Sequence, residues 1–186
     1  MDLKEIDILG DNIVHHWYYA SKANAISSLI QPLPFRSILD IGAGSAFFSR
    51  YLLAHTSIQD AWCVDIHYDK DIDQIEGGKK IYFRKSIHET NADLALFIDI
   101  LEHIDDDALF LRKYVDMLNT GSHVIISVPA FQFLWSEHDT FLEHKRRYSL
   151  AQLENVVKKS GLKTHTIFYY FSTVLPIAVL TRFISY

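Results

Sequence analysis

The chain has 186 residues, 49% hydrophobic and 22% charged, with a formal net charge of −5, which is the length and usage of one globular domain. The acidic balance excludes a broad nucleic-acid-binding face, because phosphate contacts need clustered Lys and Arg and the run Lys145-Arg146-Arg147 is too short to supply them. One cysteine, Cys63, excludes an internal disulfide and a cysteine-rich metal site, and fits the reducing cytoplasm in which the chain is expected to reside.

The opening MDLKEIDILGDN is acidic and lacks an apolar core, so no secretory peptide is expected. From there apolar runs of strand length alternate with amphipathic stretches. A helix is predicted over His15 to Ile30, stopped by Pro32 and Pro34. A strand over Ser37 to Ile41, a helix over Ala46 to His55 and a strand over Ala61 to Asp65 follow. The stretch HYDKDIDQIEGGKK reads as a polar connection, followed by strands at Ile81 to Arg84 and Asp93 to Ile98. A helix over Asp105 to Leu118 stops near Gly121, and a strand runs from Ser122 to Val128. A long loop, Pro129 to Tyr148, leads to a helix opening at Ser149 with the capping box Ser-Leu-Ala-Gln, and a last strand is expected from Leu162. This alternation predicts an α/β fold, a doubly wound and mostly parallel sheet with helices on both faces, whose ligand lies beyond the strands' C-terminal ends.

The stretch SILDIGAGSAFFSRYLL places Gly42 and Gly44 at the end of the first strand, where backbone can approach a ligand closely. A dinucleotide fingerprint would need Gly or Ala at position 47, where Phe47 stands, and would bring a pyrophosphate toward Asp40. At an effective dielectric near 20, two like charges about 4 Å apart repel by roughly 4 kcal/mol, so the acid there favours a cationic ligand.

The segment Leu39-Asp40-Ile41-Gly42-Ala43-Gly44-Ser45-Ala46 resembles the first motif of class I S-adenosylmethionine-dependent methyltransferases, with Ala46 in place of the usual third glycine. Asp65, ending the next strand, matches the acid that takes both ribose hydroxyls in that family, and ADLALFIDILEHIDDD resembles its fourth-strand motif. Together these cover about half the chain. The resemblance implies S-adenosylmethionine as cofactor, held by Asp40, Gly42, Ala43 and Gly44 of the first turn, by Asp65 and Ile66 of the second strand's end, and by Ser86, Asp99 and His103 further on.

HHWYYASKANAISSLI is similar to the N-terminal helix that covers the cofactor in small quinone-, lipid- and glycan-modifying members, which implies Trp17 and Lys22 as cover residues beside Tyr18. FLWSEHDTFLEHKRRYSLAQL resembles their acceptor loop, with His138, Asp139, His144, Arg147 and Tyr148 as its polar members; for a hydroxyl acceptor, His138 or His144 is the candidate catalytic base and Asp139 or Glu102 its orienter. On this reading a single domain, 1–186, comprises a cover helix (1–34), a cofactor-binding core (35–128), an acceptor loop (129–148) and a C-terminal helix, strand and apolar tail (149–186).

The bland readings are a tight turn at the glycines, a packing stripe at the aromatics, and surface histidines in the loop. Asp99, Glu102 and His103, at i, i+3 and i+4, also invite a metal reading, but acids at a helix start are favoured by the dipole without an ion, and no metal is expected. The tail FYYFSTVLPIAVLTRFISY is interrupted by Pro176 and charged by Arg182, so it falls short of the ~20 residues of a membrane span. A helix at a bilayer surface and a helix covering the sheet in place of the usual last strand both remain open. The expected activity is methyl transfer to a small or lipid-linked acceptor, without nucleic-acid partners. A nicotinamide-dependent oxidoreductase, disfavoured by Asp40 and Phe47, and a catalytically silent cofactor-binding module are the alternatives.

Overall fold

The computed structural model describes Ile13 and residues 15–184; the opening stretch read as lacking a signal core lies outside the described residues. Six strands form one sheet: β1 Ser37–Ile41, β2 Asp60–Val64, β3 Ile72–Glu76, β4 Lys79–Arg84, β5 Leu94–Ile98 and β6 His123–Ser127. Their order is β3-β4-β2-β1-β5-β6, and every neighbouring pair is parallel except β3 with β4. The chain divides into two compact units, one of residues up to Ile100 with Met117–Ser127, the other of Leu101–Asp116 with residues from Val128 onward.

The first unit holds the sheet and the helices α1 Trp17–Ile30 and α2 Phe47–His55. β5 reads LALFI and is buried at every position, as a continuous apolar run between two parallel neighbours requires. α1 buries Tyr19, Ala23, Ile26 and Ile30 at helical spacing, and these pack in one core with Phe47, Phe48 and Leu52 of α2. Because β1 has β2 on one side and β5 on the other, the chain switches direction at β1, and a crevice opens beyond the strands' C-terminal ends.

The polar connection HYDKDIDQIEGGKK contains a strand. β3 pairs antiparallel with β4 through Gly77 and Gly78, at φ 57° and 80°, the two positive dihedrals that a tight hairpin turn requires. β3 is exposed at all its positions, so it carries no core-facing alternation to betray it.

The second unit contains α3 Asp107–Val115, α4 Glu137–Phe141, α5 Leu150–Lys159 and α6 Leu175–Ile184. α5 opens with the predicted capping box between Ser149 and Gln152. The predicted strand from Leu162 is absent among the described residues. That segment is held by side chains instead: Tyr169 stacks on Phe131 at 4.4 Å, and its hydroxyl accepts from the Leu150 amide at 3.3 Å. Pro176 does not interrupt the tail but lies in the first turn of α6, where a missing N–H costs nothing. Among the described residues, no helix is long and apolar enough to cross a membrane.

Candidate active site

The crevice of the first unit is floored by the turn from β1 into α2. Gly42 has φ 71°, its amide donates to the Val64 carbonyl at 2.8 Å, and an added Cβ would lie 2.7 Å from Ile100 Cδ1. Gly44 has φ 54°; its amide donates to Asp65 Oδ2 at 3.0 Å and its carbonyl accepts from the Tyr68 hydroxyl at 2.7 Å. Ala43 is buried between them. Ala46, where the motif carries its third glycine, caps α2 at φ 60°, so the left-handed backbone that glycine serves persists here with a fully buried methyl group.

Asp65 is 7% exposed and accepts from the His67 amide at 3.0 Å on its other oxygen, with the His67 ring Nδ1 also at 3.0 Å. The acid at the end of β2 thus holds the glycine turn in place. Ile66 beside it is 75% exposed, a large apolar side chain at the crevice. Ser86 is exposed just past β4.

Asp40 stands beneath the turn, not at its surface: it is buried and accepts from Ser49 Oγ at 2.7 Å. Burial pushes its carboxyl up to about 6 against the opposing hydrogen bond from Ser49. The selection for cations argued from a surface carboxylate therefore weakens, since Ser49 lies against the charge.

Asp99 ends β5 at φ 51°, with its amide on the Ser127 carbonyl at 2.9 Å. Its Oδ2 pairs with the buried Lys22 ammonium at 2.5 Å, and Lys22 also donates to the Tyr18 hydroxyl. Burial works against the Lys22 charge, but the attraction of Asp99 prevails and holds its pKa above the ordinary lysine value. Trp17, one turn before, is 56% exposed.

In the second unit, the loop from Pro129 to Tyr148 is pinched at its base, the Phe131 amide on the Tyr148 carbonyl and the Tyr148 amide on the Pro129 carbonyl. Within it α4 opens with a capping box in which the Asp139 carboxylate accepts from the Ser136 amide at 2.9 Å. Asp139 also accepts from His144 Nδ1 at 3.0 Å and from Arg147 Nε and Nη2 at 2.7 and 3.0 Å. Burial would raise its carboxyl, but the Arg147 and His144 hydrogen bonds overcome that and hold it at about 2. The candidate base and a candidate orienter are thus joined, whereas His138 is exposed. Donor atoms of Glu102, His103 and His144 lie within 4.8 Å of one another.

A family profile described as a methyltransferase domain matches residues 14–167. The chain belongs to this methyltransferase family. Its sheet is the Rossmann-like fold of the class I S-adenosylmethionine-dependent enzymes, and the nicotinamide alternative falls with that assignment. The methyltransferase domain aligns with phosphoethanolamine N-methyltransferase 2 of Haemonchus contortus in complex with S-adenosyl-L-methionine at 18% identity, over 97% of this chain and 45% of that one, with a TM-score of 0.65. Human N-acetylserotonin methyltransferase in complex with the same compound gives 9% identity, coverage of 90% and 52%, and a TM-score of 0.64. The YcgJ protein of Bacillus subtilis gives 13%, 86% and 78%, and 0.60. The domain spans about half the length of the first two of these structures. No curated protein matches by sequence.

Sequence reasoning missed Ser49, which holds Asp40, and Tyr68, which holds Gly44. A lone serine on the buried face of a helix is the only signal for the first; the second carries none.

Proposed function

We propose that the methyltransferase domain binds S-adenosylmethionine at the C-terminal ends of β1, β2 and β5 and transfers its methyl group to a nucleophile on a small or lipid-linked molecule. The observation that carries this reading is the bond from the Gly44 amide to Asp65, which sets a close-approach turn and a hydroxyl-accepting carboxylate side by side. When bound, S-adenosylmethionine supplies a methyl group on a sulfonium, open to in-line displacement.

The residues present fit that group. Asp65 Oδ2 keeps a lone pair beyond the Gly44 bond for one ribose hydroxyl, and a turn of the exposed His67 ring away from Oδ1 frees a place for the second. The exposed Ile66 offers an apolar face to a purine, and the missing Cβ of Gly42 keeps the turn closed against Ile100. Lys22 and Tyr18 cover the Asp99 end, with Trp17 and Ser86 at the margins. The domain's work is positioning, which removes orientational entropy from the barrier.

On the acceptor side we assign His144 over His138, because Asp139 fixes its ring. His144→Ala is expected to leave S-adenosylhomocysteine affinity unchanged while cutting transfer by about 10²-fold or more. The names of the structural neighbours, phosphoethanolamine and N-acetylserotonin methyltransferases, support a small acceptor. Exposed Ile177 and Leu180 on α6 support contact with a lipid surface, and the single Cys63 a cytoplasmic setting.

Calorimetry tests the reading: S-adenosylhomocysteine should bind in one-to-one ratio and NADH should give no heat. Binding of NADH alone would overturn it. Cofactor binding without transfer to any hydroxyl, amine or thiol acceptor would favour the silent module.

A further inference from the structure

We propose that Arg50 is a positioning residue for the cofactor turn, acting through the Ser45 carbonyl and anchored by Glu76 of the β3–β4 hairpin. The inference rests on the cofactor reading, which makes the turn after β1 the surface that meets the ligand, and it concerns the first unit alone.

β3 is exposed at every position, so burial does not account for its place on the sheet. Gln74 and Glu76 alternate with Ile75 and therefore share one face of the strand. On that face they meet Arg50 of α2, whose Nε donates to Glu76 Oε1 and Oε2 at 3.0 and 3.1 Å and whose Nη2 donates to Gln74 Oε1 at 3.3 Å. The remaining nitrogen, Nη1, donates to the Ser45 carbonyl at 2.5 Å. One guanidinium thus ties the hairpin to the glycine turn, a span that the planar fork of arginine serves and the point charge of lysine does not.

The Ser45 carbonyl belongs to the peptide that leads into Ala46, which holds a left-handed φ of 60°. A residue with a side chain keeps that conformation only where its surroundings fix it. The Ala46 amide donates to the Ala43 carbonyl at 2.8 Å, so the rigid peptide plane is gripped at both of its polar atoms. The preceding peptide is held as well, by the Tyr68 hydroxyl on the Gly44 carbonyl. Phe83 backs both holders: the Arg50 guanidinium lies 5.5 Å from its ring centroid, and the Tyr68 ring packs edge-on against it at 5.4 Å.

A cation near the N-terminus of a helix opposes the dipole, and α2 has no acid in its first turn. Glu76 supplies that negative charge from the hairpin. The Arg50 and Glu76 side chains are 40% and 42% exposed, and an ion pair so open to solvent contributes little to overall stability. Its effect falls on the turn instead. With the Ser45 carbonyl released, the turn populates other conformations, and ligand affinity drops by the fraction of the competent one.

The test is calorimetry with S-adenosylhomocysteine, read beside amide hydrogen exchange and thermal unfolding of the same variants. Arg50→Ala should weaken S-adenosylhomocysteine about tenfold, as expected if the competent turn falls to roughly a tenth of the population. It should speed exchange of the Ala46 amide and shift the unfolding temperature by no more than about 4 °C. Glu76→Ala should weaken binding in the same direction, and the double variant should bind no more weakly than Arg50→Ala alone, because Glu76 acts only through Arg50. Additive losses, wild-type affinity in Arg50→Ala, or a loss that follows a large fall in unfolding temperature would overturn the proposal. Should Arg50→Ala fail to fold, Glu76→Ala decides: weaker binding with faster Ala46 exchange supports the role, and wild-type values for both refute it. If the wild type itself binds no S-adenosylhomocysteine, the cofactor reading falls, while the Ala46 exchange rates still show whether Arg50 holds the turn.

Discussion

The Gly44 amide donates to the Asp65 carboxylate at 3.0 Å, so the acid that ends β2 also fixes the turn that ends β1. Asp65→Ala is therefore expected to remove a ligand contact and loosen the turn together. S-adenosylhomocysteine should weaken by about 1.5–3 kcal/mol, the scale of a lost hydrogen bond to a charged group. Asp65→Asn, which keeps an acceptor oxygen for Gly44, should lose less. Calorimetry measures both, with circular dichroism to confirm folding; equal affinities in all three proteins would remove Asp65 from the site.

Gly42→Ala combines a left-handed φ with a Cβ 2.7 Å from Ile100 Cδ1. Backbone strain alone costs about 1–2 kcal/mol, and crowding adds to it. Denaturant unfolding should show the loss, and Ile100→Ala in the same chain should recover the crowding part only. Full recovery would mean that the backbone at Gly42 is unstrained.

β1, β2 and β5 could be read from the sequence because they are mainly apolar runs that their parallel neighbours largely bury. β3 was not legible in the same way, since Ile72 and Ile75 face solvent; the signal was the Gly77-Gly78 pair between two short runs, a hairpin turn that outweighs polarity. Asp65 and Gly44 were legible as residue types but their bond was not, because 21 positions separate them. Asp139 and His144 lie five apart, and only the helix begun by Ser136-Glu137-His138-Asp139 turns one onto the other. That capping pattern stands in the sequence, whereas the approach of Glu102 to His144 comes from the folded loop alone.

Asp139 should shape stability in acid. Its carboxyl falls from an unfolded value of about 3.9 to about 2, so the folded chain holds fewer protons than the unfolded one between those values. The stabilisation, about 2 kcal/mol, is fully present above about pH 4 and is lost as pH falls toward 2. Asp139→Asn should flatten that part of the stability curve; an unchanged acid transition would contradict the pairing.

Asp40 carries the opposite sign. Its carboxyl rises to about 6, so the folded chain binds more protons than the unfolded one, and this contribution is full below about pH 4 and disappears as pH rises through 6. Asp40→Asn should remove a pH-dependent destabilisation of about 3 kcal/mol at pH 7, offset by whatever the amide loses against Ser49. Urea unfolding at pH 4.5 and pH 7.5 reads the difference; a variant with the wild-type slope between them would show that Asp40 titrates normally.

A crystal structure of the methyltransferase domain soaked with S-adenosylhomocysteine tests the central claim most directly. The account predicts both ribose hydroxyls within hydrogen-bond distance of Asp65, the purine over Ile66, and the ligand backed by the turn from Gly42 to Gly44. A ligand bound elsewhere, or one whose ribose makes no contact with Asp65, would contradict it.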